Sequence, residues 1–281
     1  MYYFMITSAA FLFSLQFVFN HGYQRENESG MSASLRFSLY TSLFGLVWLL
    51  LINRFHMEFT LFSAAVALAY GFVSIGFSYS SIKAFQHANL SVYSVFSMIG
   101  GMVLPFVYGV VCGEEVTAVR LICCVLIVIS VAMPLKRSGG SRKAVKYYIG
   151  VFVLNGMVGV LSEFQQSHME LCVDSASFMM LTMVTTALLS ALLLLARKER
   201  NFGVSKKSLI YCAGYSGFNS IGNLLLLIAL LHLPASVQYP IVTGGVIVFS
   251  TLIDLLRKER VSKRELLAAA LAFAAAALMA L

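Results

Sequence analysis

The sequence predicts an all-α integral membrane protein, with ten transmembrane helices arranged as two inverted five-helix repeats. Three observations carry that expectation. Of 281 residues, 59% are hydrophobic and 11% charged, where a soluble domain carries roughly 25% charged residues. A soluble chain this short cannot hide so much apolar surface in one core. The apolar residues fall in blocks of about twenty, which cross a bilayer as helices, and no block alternates as an outer-membrane strand would. The two halves of the chain also repeat one another.

The elements follow from the apolar blocks and the polar breaks between them. Helix 1 is expected over Tyr2–Asn20, helix 2 over Met31–Asn53 and helix 3 over Phe59–Ile82. Helix 4 follows over Leu90–Val111 and helix 5 over Val116–Met133. A basic linker rich in glycine and serine, 136–146, separates a first repeat (1–135) from a second (147–281). Helix 6 is expected over Tyr147–His168, helix 7 over Ser175–Ala196 and helix 8 over Leu209–Leu231. Helices 9 and 10 complete the set over Ala235–Leu256 and Leu266–Leu281.

The repeat is visible residue by residue. Gly71-Phe72-Val73-Ser74-Ile75-Gly76 recurs as Gly217-Phe218-Asn219-Ser220-Ile221-Gly222. Nearly the same offset pairs His87 with His232, Glu114 with Glu259 and His21 with His168. A unit of five helices is odd, so its second copy enters the membrane from the opposite side. Inverted repeats of this kind give secondary transporters two oppositely exposed states. Charge sets the orientation. All but Arg36, Arg54 and Arg120 of the 20 Lys and Arg fall in loops on one side. By the positive-inside rule those loops are cytoplasmic and both termini lie outside. A bacterial inner membrane is the expected location.

Several function classes drop out. The net charge of +8 sits in short inter-helix loops, which suits a membrane surface better than nucleic acid. The five cysteines show no Cys-x-x-Cys pairing and read as small buried hydrophobes. No metal site or cofactor is expected. No cleavable signal pattern is expected at the start, and no phosphate-binding Gly-x-x-x-x-Gly-Lys motif is present. Catalysis is not expected, because no nucleophile and base are paired within a helix.

The polar residues inside the apolar runs are the candidate site. Glu163 in helix 6 is an ionisable group in hydrocarbon, which costs roughly 2.5–3.5 kcal/mol on insertion scales unless it faces an interior or cavity. It reads either as a proton-coupling or cation-binding carboxylate or as a structural one. Its counterpart in helix 1 is the neutral Gln16. Tyr215, Asn219 and Asn223 share one face of helix 8 at four-residue spacing, and Tyr70 and Ser74 echo them in helix 3. Helix 6 adds Asn155 and Gln166, helix 4 adds Tyr93, and helix 9 adds Gln238 and Tyr239. Such residues line a cavity or hold helices together. Gly100-Gly101 and Gly244-Gly245 fall mid-helix, as close crossings or hinges, with Pro105 and Pro240 as kinks.

The segment Pro105-Phe106-Val107-Tyr108-Gly109-Val110-Val111-Cys112-Gly113-Glu114-Glu115-Val116-Thr117 resembles the end of helix 4 in the drug/metabolite transporter superfamily, EamA-like branch. Ser34-Leu35-Arg36-Phe37 resembles its helix 2 signature, and Leu233-Pro234-Ala235-Ser236-Val237 its helix 8–9 corner. The second half departs with Lys258-Glu259-Arg260 in place of Gly-Glu. The resemblance covers the whole chain and implies a small-molecule carrier for metabolites, amino acids or drugs, as monomer or homodimer. Small multidrug relatives use a carboxylate in the first helix of their unit, which implies a coupling role near Glu163. The expected function is a secondary active exporter or exchanger working by alternating access, with proton coupling as an option. A lipid-linked substrate flippase or an intramembrane enzyme or scaffold is the alternative.

Overall fold

A computed structural model describes the chain apart from residues 28–29, 86–89, 115–116, 133–144, 169, 200–201, 257–262 and 281. The side chains of 85, 90–96, 98, 120, 130–132, 254, 264–265, 276–277 and 279–280 are also outside it. Most of the basic linker and the Lys258-Glu259-Arg260 segment therefore lie outside the described residues.

The described residues form helices and no strands. In order these are α1 (Tyr2–Glu26), α2 (Met31–Ile52), α3 (Leu61–Phe85), α4 (Leu90–Val111) and α5 (Ala118–Ala132). Then come α6 (Val145–Ser167), α7 (Ser175–Ala196), α8 (Lys206–Leu230), α9 (Ala235–Leu256) and α10 (Lys263–Ala280). Seven of the described helices, α1–α3 and α6–α9, are long and apolar enough to cross a membrane. The described apolar stretches of α4 and α10, Ile99–Val111 and Leu266–Ala275, are shorter. Large apolar side chains such as Phe4, Leu61, Leu192 and Phe273 face outward. A water-facing surface does not carry so much exposed apolar area, so the chain is an α-helical integral membrane protein.

Local chemistry moves several helix ends from where apolar runs alone would put them. The Thr60 hydroxyl accepts from Ser63 N–H at 3.2 Å, so α3 starts at Leu61, two residues later than expected. Ser205 accepts from Ser208 N–H at 3.1 Å and starts α8 three residues earlier, at Lys206. Asp174 caps α7 by accepting from Ala176 and Ser177 N–H. Each satisfies backbone donors that a helix start leaves without partners.

The end of α4 explains the Gly-Glu pair. Gly113 has φ +97°, a left-handed conformation that glycine adopts without Cβ strain. Glu114 N–H donates back to the Gly109 carbonyl at 3.0 Å, and Gly113 N–H to Val110 at 3.1 Å. This is a Schellman helix end. It delivers the Glu114 carboxylate to the start of α9, where Ala235 N–H donates to Oε1 at 2.7 Å and Ser236 N–H to Oε2 at 2.9 Å. A negative charge there also suits the helix dipole.

The packing crosses between halves. α1 lies along α8 and α3 along α6; α4 packs on α6 and α1 on α9. α2 faces α7, α4 faces α9 and α5 faces α10, while α2 also meets α8 and α3 meets α7. Adding five to each helix number, cyclically, turns α1–α8 into α6–α3, α4–α6 into α9–α1, and α3–α7 into α8–α2. Neither half is a self-contained bundle, because the broadest contacts run from one to the other.

Candidate functional site

Eight helices surround a central cavity of about 230 Å³, and α5 and α10 stay outside it. From α1 come Phe13, Gln16, Phe17 and Asn20, and from α2 Phe37, Ser38, Thr41 and Ser42. α3 contributes Tyr70, Ser74, Phe77 and Ser78. α4 adds Ser97 and Gly101, and α6 adds Asn155, Val158, Gly159 and Ser162. α7 supplies Met183 and Thr186, and α8 Tyr215, Ser216, Asn219, Asn223 and Leu226. α9 closes the ring with Tyr239, Val242, Thr243 and Val246. The recurring three- and four-residue steps are one face of each helix turned inward. Among the described residues the wall holds hydroxyls, amides and aromatic rings, and no Asp, Glu, Lys, Arg or His.

Eight of the candidate residues stand on this wall: Gln16, Tyr70, Ser74, Asn155, Tyr215, Asn219, Asn223 and Tyr239. Gln166 and Gln238 do not. Both are buried between helices, where Gln238 Nε2 donates to the Leu226 carbonyl at 2.9 Å and Gln166 Nε2 to Ser175 Oγ at 3.4 Å. Those bonds run to α8 and α7, so both residues join helices rather than line the space. The side chain of Tyr93 lies outside the described residues. Asn20, Ser38, Thr41, Ser42 and Thr186 line the wall without having been singled out from sequence. The α2 set, Ser34-Ser38-Ser42, had the same four-residue spacing as the α8 stripe; hydroxyls are simply common in membrane helices.

Glu163 sits beside the cavity rather than on it. It follows the wall residue Ser162, one turn before α6 ends at Ser167, and is 8% exposed. Its Oε2 has no hydrogen-bond partner among the described residues. A buried carboxylate oxygen left so is costly unless it meets a proton, a cation or a water. On the wall itself a lock joins α9 to α6: Tyr239 O–H donates to the Gly159 carbonyl at 3.2 Å. A Cβ at Gly159 would run into Pro105 and lie 3.3 Å from the Tyr239 ring, so the lock needs glycine there.

Both ends of the bundle are tied between the halves. At one end Asn27 Nδ2 donates to Ser208 Oγ at 2.8 Å, Tyr40 O–H to the Phe202 carbonyl at 2.9 Å, and Lys207 pairs with Glu26 at 3.1 Å. Arg36 turns toward this end, 3.5 Å from the Gly203 carbonyl. At the other end Ser63 Oγ accepts from Gln165 Nε2 at 2.7 Å and from Val173 N–H at 3.0 Å. Ser177 Oγ accepts there from Glu58 N–H at 2.8 Å.

No family model matches the chain, and no curated protein matches it. A solved structure described only as "Crystal structure of protein" is similar over 99% of this chain and 95% of its own length. It has a TM-score of 0.76 and 14% sequence identity. At that identity the likeness concerns the fold alone.

Proposed function

We propose that this chain is a secondary transporter of a small metabolite or drug-like molecule, working by alternating access. The observation that carries the reading is one polar, aromatic cavity ringed by helices from both halves, level with the middle of membrane-length helices. Sites between helices near the bilayer midplane are where such carriers hold their cargo. The exchange of packing partners on adding five to each helix number supports two inverted repeats. Ten spans, both termini outside and a bacterial inner membrane belong to the same proposal, as does membership of the drug/metabolite transporter superfamily. Glu163 is the coupling carboxylate in this reading: it is buried, lacks a partner on one oxygen among the described residues and stands one residue from the wall.

Uptake by proteoliposomes from a pooled metabolite mixture, with and without a pH gradient, tests the proposal. Substrate-dependent, saturable flux is expected. No flux of any solute under either condition would sink the carrier reading.

A further inference from the structure

We infer that the cavity takes a small, uncharged, planar heterocycle bearing an amide or lactam group. This rests on the carrier reading and names the class of its cargo.

Charge is the first argument. No Asp, Glu, Lys, Arg or His stands among the described wall residues, and phenylalanines make up part of the lining. An ion entering such a space loses its hydration and meets no opposite charge. An anion finds no Lys or Arg, and the start of α9 already holds the Glu114 carboxylate. A cation finds aromatic faces, which return less than a bare ion gives up on leaving water. The nearest carboxylate, Glu163, stands off the wall.

The unused hydrogen-bonding groups are the second argument. Gln16 Oε1 is buried and has no partner among the described residues. Asn155 spends its amide N–H on the Ser97 carbonyl at 2.6 Å, which leaves its own carbonyl oxygen for a ligand. Asn219 accepts from Asn223 Nδ2 at 2.9 Å, which leaves the Asn219 amide nitrogen as a donor. The wall thus offers two amide acceptors and an amide donor, the complement of a carboxamide or lactam. Buried amide groups reject ligands that cannot answer them.

Size and shape are the third. A volume of 230 Å³ falls under the roughly 300–1,000 Å³ of drug-sized pockets. It holds one or two rings and excludes a lipid-linked sugar. Phe13, Phe17, Phe37 and Phe77 supply flat apolar faces from three helices.

The test uses three probes of one shape and different charge: nicotinamide (neutral), nicotinate (anionic) and 1-methylnicotinamide (cationic). Binding to the purified full chain in nanodiscs is measured by calorimetry, and counterflow is measured in proteoliposomes. Nicotinamide is expected to bind at least about tenfold tighter than either ion. Gln16→Leu is expected to weaken the two carboxamides, nicotinamide and 1-methylnicotinamide, about tenfold without admitting either ion more tightly. Gln16→Glu is expected to reverse the preference toward the cation, which a merely misfolded variant would not do. Equal or tighter binding of an ion by the unmodified chain overturns the inference, as does binding of none of the three. Either result leaves the carrier reading standing if the pooled mixture still shows flux.

Discussion

The crossing of α4 on α6 and the crossing of α9 on α1 are the same contact when five is added to each helix number, yet they are built differently. In the first, two glycines let backbone meet backbone. A Cβ on Gly100 would collide with the Phe152 carbonyl and lie 2.7 Å from its Cα, and one on Gly156 would lie 2.6 Å from the Gly100 carbonyl. In the second, a Cβ on Gly245 would lie 2.8 Å from the Ala10 methyl. One crossing is closed to any side chain and the other is already spaced by an alanine. The Ala10 methyl moves only with its backbone, so both joints resist a side chain, but the contact at α9–α1 asks for a smaller shift than the main-chain collision at α4–α6.

The largest expected effect follows from that difference. Gly100→Ala should cost at least about 3 kcal/mol, or prevent folding, through overpacking against main chain. Gly245→Ala should cost less, about 1 kcal/mol net, since the helices need to part only slightly and helix propensity offsets part of the clash. Both substitutions share the propensity gain, so their difference isolates the packing. Melting temperatures and yields of monodisperse protein in one detergent measure it. Equal losses would break the comparison.

Glu163 against Gln16 is the same contrast carried into chemistry. If Glu163 couples transport, Glu163→Gln should cut flux driven by a pH gradient about tenfold or more and leave counterflow at a fixed pH close to its original rate. Unchanged gradient-driven flux would remove the coupling role.

Glu114 supplies the next effect in size. Glu114→Ala leaves the N–H groups of Ala235 and Ser236 without acceptors, for a loss of about 2 kcal/mol. A Cβ on Gly109 would lie 2.8 Å from the Glu114 carboxyl carbon, so Gly109→Ala should displace the same carboxylate. The two losses should be less than additive in a double-mutant cycle. Full additivity would show that Gly109 matters for something other than seating Glu114.

How much of this was legible beforehand differs by region. Apolar blocks placed nine helices within three residues at each end, because a membrane span is set by length and hydropathy; α1 runs six residues past the expected Asn20, to Glu26. The caps were harder: Thr60 lay inside the run expected from Phe59, and Ser205 lay ahead of the run expected from Leu209. Four-residue spacing found the α8 face, Tyr215, Asn219 and Asn223, on the cavity wall. Gln166 and Gln238, chosen as polar residues within apolar helices, hydrogen-bond between helices instead, because polarity alone does not say what a side chain meets. The asymmetry of the two crossings was not legible at all. Gly100-Gly101 and Gly244-Gly245 look alike in sequence, and only the packing shows that Gly156 faces the first and Ala10 the second.

The smallest expected effect tests where the halves agree. α2 and α7 end alike up to the first left-handed residue, after which the α2 corner adds a second, Phe55 at φ 61°. Arg54 has φ 52° and Lys198 φ 57°, one residue past each helix-capping residue, Asn53 and Arg197. Phe55 N–H then donates back to the Leu50 carbonyl at 2.8 Å, and Glu199 N–H to Leu194 at 3.2 Å. Both are Schellman ends in which a long side chain occupies the position glycine prefers. The left-handed conformation costs a Cβ-bearing residue roughly 1–2 kcal/mol, partly recovered because glycine loses more freedom on folding. Arg54→Gly and Lys198→Gly should therefore each stabilise the protein by about 0.5–1 kcal/mol, and by similar amounts. Thermal unfolding of the two single variants and the double variant measures this, with additive gains expected because the two ends lie in different loops. A gain at one corner and a loss at the other would mean that the copies diverge here as well as at their crossings. In that case the basic side chain at the losing corner makes a contact worth more than its strain.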